Sequence, residues 1–63
     1  MIHIIFFDGN HLLFSTITNN PIIPRIGEHI SYNRELYRVI EIRYDYDKET
    51  NKLQYIQIKT KLN

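Results

Sequence analysis

The chain has 63 residues, no cysteine, and a formal net charge of +1 from eight basic and seven acidic residues. This length allows one domain, residues 1–63, and a domain this small buries only about 60% of the surface that its unfolded chain exposes. Without cysteine there are no disulfide bonds and no thiolate metal sites, so self-association is the expected source of extra stability. The balanced charge argues against non-specific binding of nucleic acid, which needs a basic surface.

Nothing in the sequence indicates a membrane or secreted protein. No apolar run approaches the roughly 20 residues that cross a bilayer, and Met1 to His3 lack the basic region of a signal peptide. We therefore predict a cytoplasmic protein without membrane contact. The chain also lacks alanine and tryptophan, and about half of its residues are Ile, Asn, Tyr, Phe, Lys or Met. Because AT-rich codons favour these amino acids, the composition indicates an AT-rich bacterial or phage genome.

The first third of the chain predicts a β-hairpin. The stretch from Ile2 to Phe7 is apolar on both of its alternating faces, which is typical of a strand covered on both sides. Asp8-Gly9-Asn10 is a hairpin turn signal, and His11 to Thr18 returns as the second strand. A core of this size cannot hide so many apolar side chains, so we expect copies of the chain to cover one another. The predicted interface residues are Ile5, Phe7, Leu13, Ile17 and Ile22.

The loop from Ile22 to Gly27 contains apolar residues and follows Pro21, and Pro24 lies inside it. Because proline donates no backbone hydrogen bond, we expect an extended segment that is not centrally paired. Its isoleucines either cap one end of a barrel, which is the commoner arrangement, or form a partner-binding surface. A short third strand then starts at Glu28-His29-Ile30, and Asn33-Arg34-Glu35 forms the next turn.

The longest predicted strand runs from Leu36 to Tyr46. Strict alternation would place Glu41 and Arg43 on the same face as the apolar residues before them. A β-bulge near Ile40 and Glu41 removes this conflict, and the core face then consists of Tyr37, Val39, Ile42, Tyr44 and Tyr46. The alternative is a straight strand between two covered faces. A charged turn from Asp47 to Lys52 precedes a fifth strand from Leu53 to Lys61.

Five strands in so short a chain predict an all-β fold, a small, partly open barrel with an N-terminal β-hairpin. The pattern Ile23-Pro24-Arg25-Ile26-Gly27-Glu28-x-Ile30, then Tyr37-x-Val39, Ile42-x-Tyr44 and Ile56-x-Ile58, resembles the small SH3-like barrel proteins of bacteria and phages. The match covers residues 23 to 58. The resemblance implies a binding or assembly module and brings no catalytic residue with it.

The polar residues do not form a recognisable reaction centre. His3, His11 and His29 lack metal-ligand spacing, and a pair formed by His3 and His11 across the first hairpin would still need further ligands. Neither serine lies in a strand–turn–helix context that would expose a nucleophile. We therefore expect no enzymatic activity, no cofactor and no metal.

One set of residues suits an anionic or nucleotide ligand, because guanidinium groups bind phosphate and tyrosines stack on bases. The predicted ligand-binding residues are Arg34, Arg38, Arg43, Tyr44 and Tyr46. In the alternative, which we favour, the tyrosines are core residues and the arginines pair with Glu35, Glu41 and Asp45.

These observations predict a non-enzymatic, homo-oligomeric binding module encoded by a phage or mobile element. Such a module would inhibit host defence by sequestering a nucleotide signal or by blocking a defence protein of the host. The alternatives are a small barrel that binds nucleic acid, which we do not favour, and a structural component of a virion. SH3-like and related barrels often bind nucleic acid on a strand face.

Overall fold

The computed structural model describes residues 1–63 and contains five β-strands and no helix. The strands are β1 (Ile2–Asp8), β2 (His11–Thr18), β3 (His29–Tyr32), β4 (Glu35–Tyr46) and β5 (Leu53–Leu62). They form one sheet, in the order β2-β1-β5-β4-β3, that curls into a half-barrel. The predicted all-β, partly open five-stranded barrel with an N-terminal hairpin is therefore confirmed. No helix is present that could cross a membrane.

The strand pairing contains one feature that the sequence did not predict. β1 pairs with β5 in parallel, whereas the pairs β1–β2, β3–β4 and β4–β5 are antiparallel. The parallel pair places the first and the last strand of the chain side by side in the middle of the sheet. As a result β2 and β3 become its two edge strands.

The predicted turn between β3 and β4 is a two-residue hairpin connection at Asn33 and Arg34. Both residues have left-handed backbone angles, with φ values of 51° and 67°. Positive φ at both central positions is the geometry that matches the twist of a two-residue hairpin. Asparagine adopts it readily, while arginine rarely does. The connection therefore fixes the register of the short third strand.

The predicted bulge lies in β4. Val39 pairs with Thr60 and Glu41 pairs with Lys59, which leaves Ile40 without a partner on β5. After the bulge, Ile42 and Tyr44 lie opposite Ile58 and Ile56 on the core side of the sheet. The predicted core face is therefore continuous, but only part of it is buried. Tyr37 and Val39 are buried and Ile42 is half-buried, whereas Tyr44 and Tyr46 are 49% and 63% exposed.

The hydrophobic core is small and comes from the three central strands. Its buried members are Ile4, Phe6, Val39, Ile56 and Ile58. Thr60 is also fully buried, and its hydroxyl donates a hydrogen bond of 2.7 Å to the carbonyl oxygen of Phe7. Only 7 of 63 residues are buried, so many large apolar side chains stay exposed. The expectation that a single core cannot hide them holds for the single chain.

The two edge strands meet through aromatic rings and not through backbone pairing. Phe6 stacks on Phe14 with ring centroids 4.4 Å apart, and Phe14 stacks on Tyr32 at 4.3 Å. Phe14 belongs to β2 and Tyr32 to β3, and these strands are not hydrogen-bonded to each other. Each stacked pair contributes about 0.5–1.5 kcal/mol beyond its buried area. The stack therefore closes one side of the half-barrel and leaves the backbone edges open.

Candidate interaction surface

The sheet has two faces that differ in composition. Paired residues share a face and successive residues alternate between faces. We name the face that carries the core cluster the inner face and the opposite one the outer face. On β1, Ile4 and Phe6 lie on the inner face, and His3, Ile5 and Phe7 lie on the outer face.

The outer face of β1 and β2 is mainly apolar, with His3 and Ser15 as its polar residues. We define the apolar half-face as the side chains of Ile5, Phe7, Leu12 and Ile17. Ile5 and Phe7 are half-buried, while Leu12 and Ile17 are 65% and 60% exposed. When one face of a sheet contacts water, the side chains on that face are normally polar. The second face of β1, which the sequence predicts to be covered, is thus uncovered in the single chain.

The outer face of β4 and β5 is charged. The charged half-face consists of Arg38, Glu41, Arg43, Asp45, Lys59 and Lys61. Arg43 donates a hydrogen bond of 2.6 Å to the side-chain oxygen of Gln57, and its Nε lies 3.5 Å from Asp45 Oδ2. That carboxylate oxygen is shielded from solvent and has no shorter partner. A pair this exposed on the arginine side contributes less than about 1 kcal/mol, so it orients Arg43 more than it stabilises the fold.

The predicted ligand-binding residues do not come together on one surface. Arg34 lies in the turn between β3 and β4, and Arg38 and Arg43 lie on the outer face. Tyr44 and Tyr46 lie on the inner face, because they pair with Ile56 and Leu53 next to the core. The sheet thus separates the guanidinium groups from the tyrosine rings. Of the ion pairs in the alternative interpretation, only that between Arg43 and Asp45 is present, and Tyr44 and Tyr46 are too exposed to be the core residues that it assumed.

Three of the five predicted interface residues do come together. Ile5, Phe7 and Ile17 all belong to the apolar half-face. Leu13 sits at a bulge in β2 and packs against the core, so it is half-buried. Ile22 lies in the loop after β2, outside the sheet, and is 91% exposed.

The histidines and the other potential metal ligands lie apart from one another. His3 pairs with Ile17 at the base of the first hairpin and His11 with Asp8 at its tip, so the two histidines do not meet. No group of three metal-ligating side chains converges anywhere in the chain. Burial raises the pKa of the Tyr37 phenol, and the charges of Glu35 and Asp8 and the phenol of Tyr32 raise it further. The single chain also contains no pocket.

The fold and this surface define a small β half-barrel whose outer face is apolar on one side and charged on the other. Comparison with known protein families, with characterised proteins and with solved structures gives no match. The outer face of the sheet is therefore the main indication of function.

Proposed function

We propose that the chain is a non-enzymatic binding module that acts as a homo-oligomer and self-associates through the β1–β2 side of its sheet. The observation that supports this proposal is the apolar half-face. It extends to Ile17 on β2, where the sheet ends without a covering element. The charged half-face keeps the other side of the sheet in water. Burial of the apolar half-face would thus lower the free energy of the molecule, whereas burial of the charged half-face would not.

A stable contact would cover a small share of the surface of the chain. A specific interface of standard size buries about 800 Å² on each partner. The chain exposes 4952 Å², so such a contact would cover about a sixth of its surface. Fully burying an isoleucine or leucine side chain contributes about 1.5–3 kcal/mol. Ile17 and Leu12 of two copies together therefore offset much of the cost of association, which is at least about 4 kcal/mol.

The target of the assembled module is, in this proposal, another protein. In a phage-encoded chain acting in the host cytoplasm, the assembly would inhibit defence by blocking a defence protein. A chain without a pocket suits a protein target better than a small ligand, and the separation of the arginines from Tyr44 and Tyr46 weighs against a nucleotide site within one chain. Capture of a nucleotide signal would need a site that copies build together.

Binding of nucleic acid is less well supported. Arg38, Lys59 and Lys61 point outward on the charged half-face. Glu41 and Asp45 lie among them on the same face, which breaks up the basic stripe that counterion release requires. Affinity for single strands that falls steeply with salt would be its signature.

Sedimentation velocity over a wide range of concentrations tests the proposal. We expect the wild-type chain to sediment as an oligomer and Ile17→Lys to sediment as a monomer, because Ile17 is exposed in the single chain but covered in the assembly. Leu36→Lys is the matched control, since Leu36 is 46% exposed on the outer face at the opposite side of the sheet. A folded wild-type monomer at all concentrations would refute self-association. Native mass spectrometry with cyclic nucleotides separates the two targets, because a bound nucleotide mass would favour capture of a signal.

A further inference from the structure

Strand β2 is a sheet edge whose one device against pairing with another strand is its bulge at Leu13, and the rest of the strand is regular. Natural edge strands are kept apart by short length, charged side chains or proline. β2 spans eight residues and contains neither a charged residue nor proline. The other edge, β3, has only four residues. The two edges therefore differ, and β2 is the one that can accept a further strand.

The directions of the backbone groups show which residues of β2 face outward. The amide of Gly9 donates to the carbonyl oxygen of Thr60, so odd-numbered residues of β1 direct their backbone groups to β5. Even-numbered residues of β1 then bond to β2, through the pairs Ile4–Thr16 and Phe6–Phe14. On β2, Ser15 lies between Phe14 and Thr16, and Ile17 follows Thr16. Both Ser15 and Ile17 direct their N–H and C=O groups away from β1. No other element of the chain bonds to them.

We propose that two copies of the chain pair antiparallel through their β2 strands, with Ser15 of each copy opposite Ile17 of the second copy. This register places Thr16 next to Thr16 of the second copy on the two-fold axis. Ser15 and Ile17 then exchange both of their backbone hydrogen bonds across the new ladder. The inference rests on the self-association proposed above and adds an edge contact to it, because pairing at β2 extends the sheet and joins the apolar half-faces of the two copies into one larger apolar surface.

A second copy fits this edge better than an unrelated strand for two reasons. An isologous contact must be self-complementary, and a strand without charges brings no like charges together when it meets itself. Threonine pairs across antiparallel strands are favourable, and Thr16 is exposed at the middle of the regular part of β2. The bulge at Leu13 bends the other part of the strand, so pairing is confined to the stretch from Phe14 to Thr18.

A charge exchange at Thr16 tests the pairing and its register. In Thr16→Lys and in Thr16→Glu, two like charges would meet on the axis, and we expect each variant alone to dimerise at least about tenfold more weakly. An equal mixture of the two should recover the wild-type dimer as a heterodimer. Gln54→Lys, a charge change at an exposed position of β5, should leave dimerisation unchanged.

A backbone variant gives a second, independent test. Ser15→Pro removes an N–H that faces outward and leaves the ladder with β1 intact, and proline is accepted at such edge positions. It should abolish dimerisation, whereas Ser15→Thr should retain it. If Ile17→Lys dissociates the oligomer but both Thr16 variants do not, or if their mixture fails to recover the dimer, the edge pairing is wrong and self-association stands. A wild-type monomer would overturn both.

Discussion

The bulge in β4 makes a sharp prediction about deletions. Ile40 has no partner on β5, so its removal leaves Val39 on the inner face, Glu41 on the outer face and Ile42 on the inner face, as they are now. Removal of Arg43, which is two residues beyond Glu41, cannot be accommodated in this way. To keep Tyr44 opposite Ile56, the strand would have to give up the bulge.

The expected costs of the two deletions differ by several kcal/mol. Ile40 is 41% exposed, so its loss forfeits about three-fifths of the 1.5–3 kcal/mol of a fully buried isoleucine, or about 1–2 kcal/mol. A chain of this length has a stability of about 3–9 kcal/mol, and it should remain folded. Without Arg43, the restored alternation puts the Glu41 carboxylate opposite Ile58, which is fully buried. Burying an unpaired charge costs several kcal/mol, which would unfold most of the population.

Urea unfolding followed by circular dichroism measures both effects. The Ile40 deletion should show a cooperative transition at lower urea with a similar slope, since the surface exposed on unfolding changes little. The Arg43 deletion should show no cooperative transition. Equal destabilisation by the two deletions, or greater damage from the loss of Ile40, would refute the assignment of Ile40 as the extra residue.

Three further predictions concern the interior. Thr60→Val removes the hydrogen bond to the Phe7 carbonyl and should lower the free energy of unfolding by about 1–3 kcal/mol in the urea assay, and a midpoint equal to that of the wild type would contradict this. Phe14→Leu breaks both ring stacks and should cost about 1–3 kcal/mol in the same urea assay; an unchanged midpoint would mean that the stack does not close the barrel. The pKa of Tyr37 is raised in the folded state. The contribution of its protonated phenol to the free energy of unfolding is therefore complete below the unfolded pKa of about 10 and is lost as pH rises through the folded value. A spectrophotometric titration should show one late phenol that Tyr37→Phe removes, and a uniform titration of all tyrosines would contradict this.

Local signals in the sequence predicted the strands well. Asp8-Gly9-Asn10 and Asn33-Arg34 mark turns by residue type, and the two polar residues Glu41 and Arg43 on an otherwise apolar face require a bulge. These are short-range effects of backbone conformation and side-chain alternation, so neighbouring residues suffice to identify them. The five strand positions and the bulge followed from them.

Long-range features did not follow. The parallel pairing of β1 with β5 depends on which strands meet in space, and alternation alone does not encode this choice. The sequence did not indicate that Phe14 and Tyr32 would stack between the two edge strands. It also did not indicate that Tyr46, near the end of β4 and away from the buried core residues, would be exposed. For the interaction surface, the sequence pattern of Ile5, Phe7 and Ile17 picked out residues that the fold places on one face of the sheet, and their role as an interface stays a prediction. The open edge was missed, although the absence of charge from His11 to Thr18 was a signal for it.

Amide hydrogen exchange of β2 as a function of protein concentration tests the central claim most directly. In a single copy the N–H groups of Ser15 and Ile17 face solvent, while that of Thr16 is bonded to β1. The account predicts that Ser15 and Ile17 become protected as the concentration rises and the chains associate, and that Thr16 is protected throughout. Fast exchange of Ser15 and Ile17 at concentrations where the protein is fully oligomeric would contradict it.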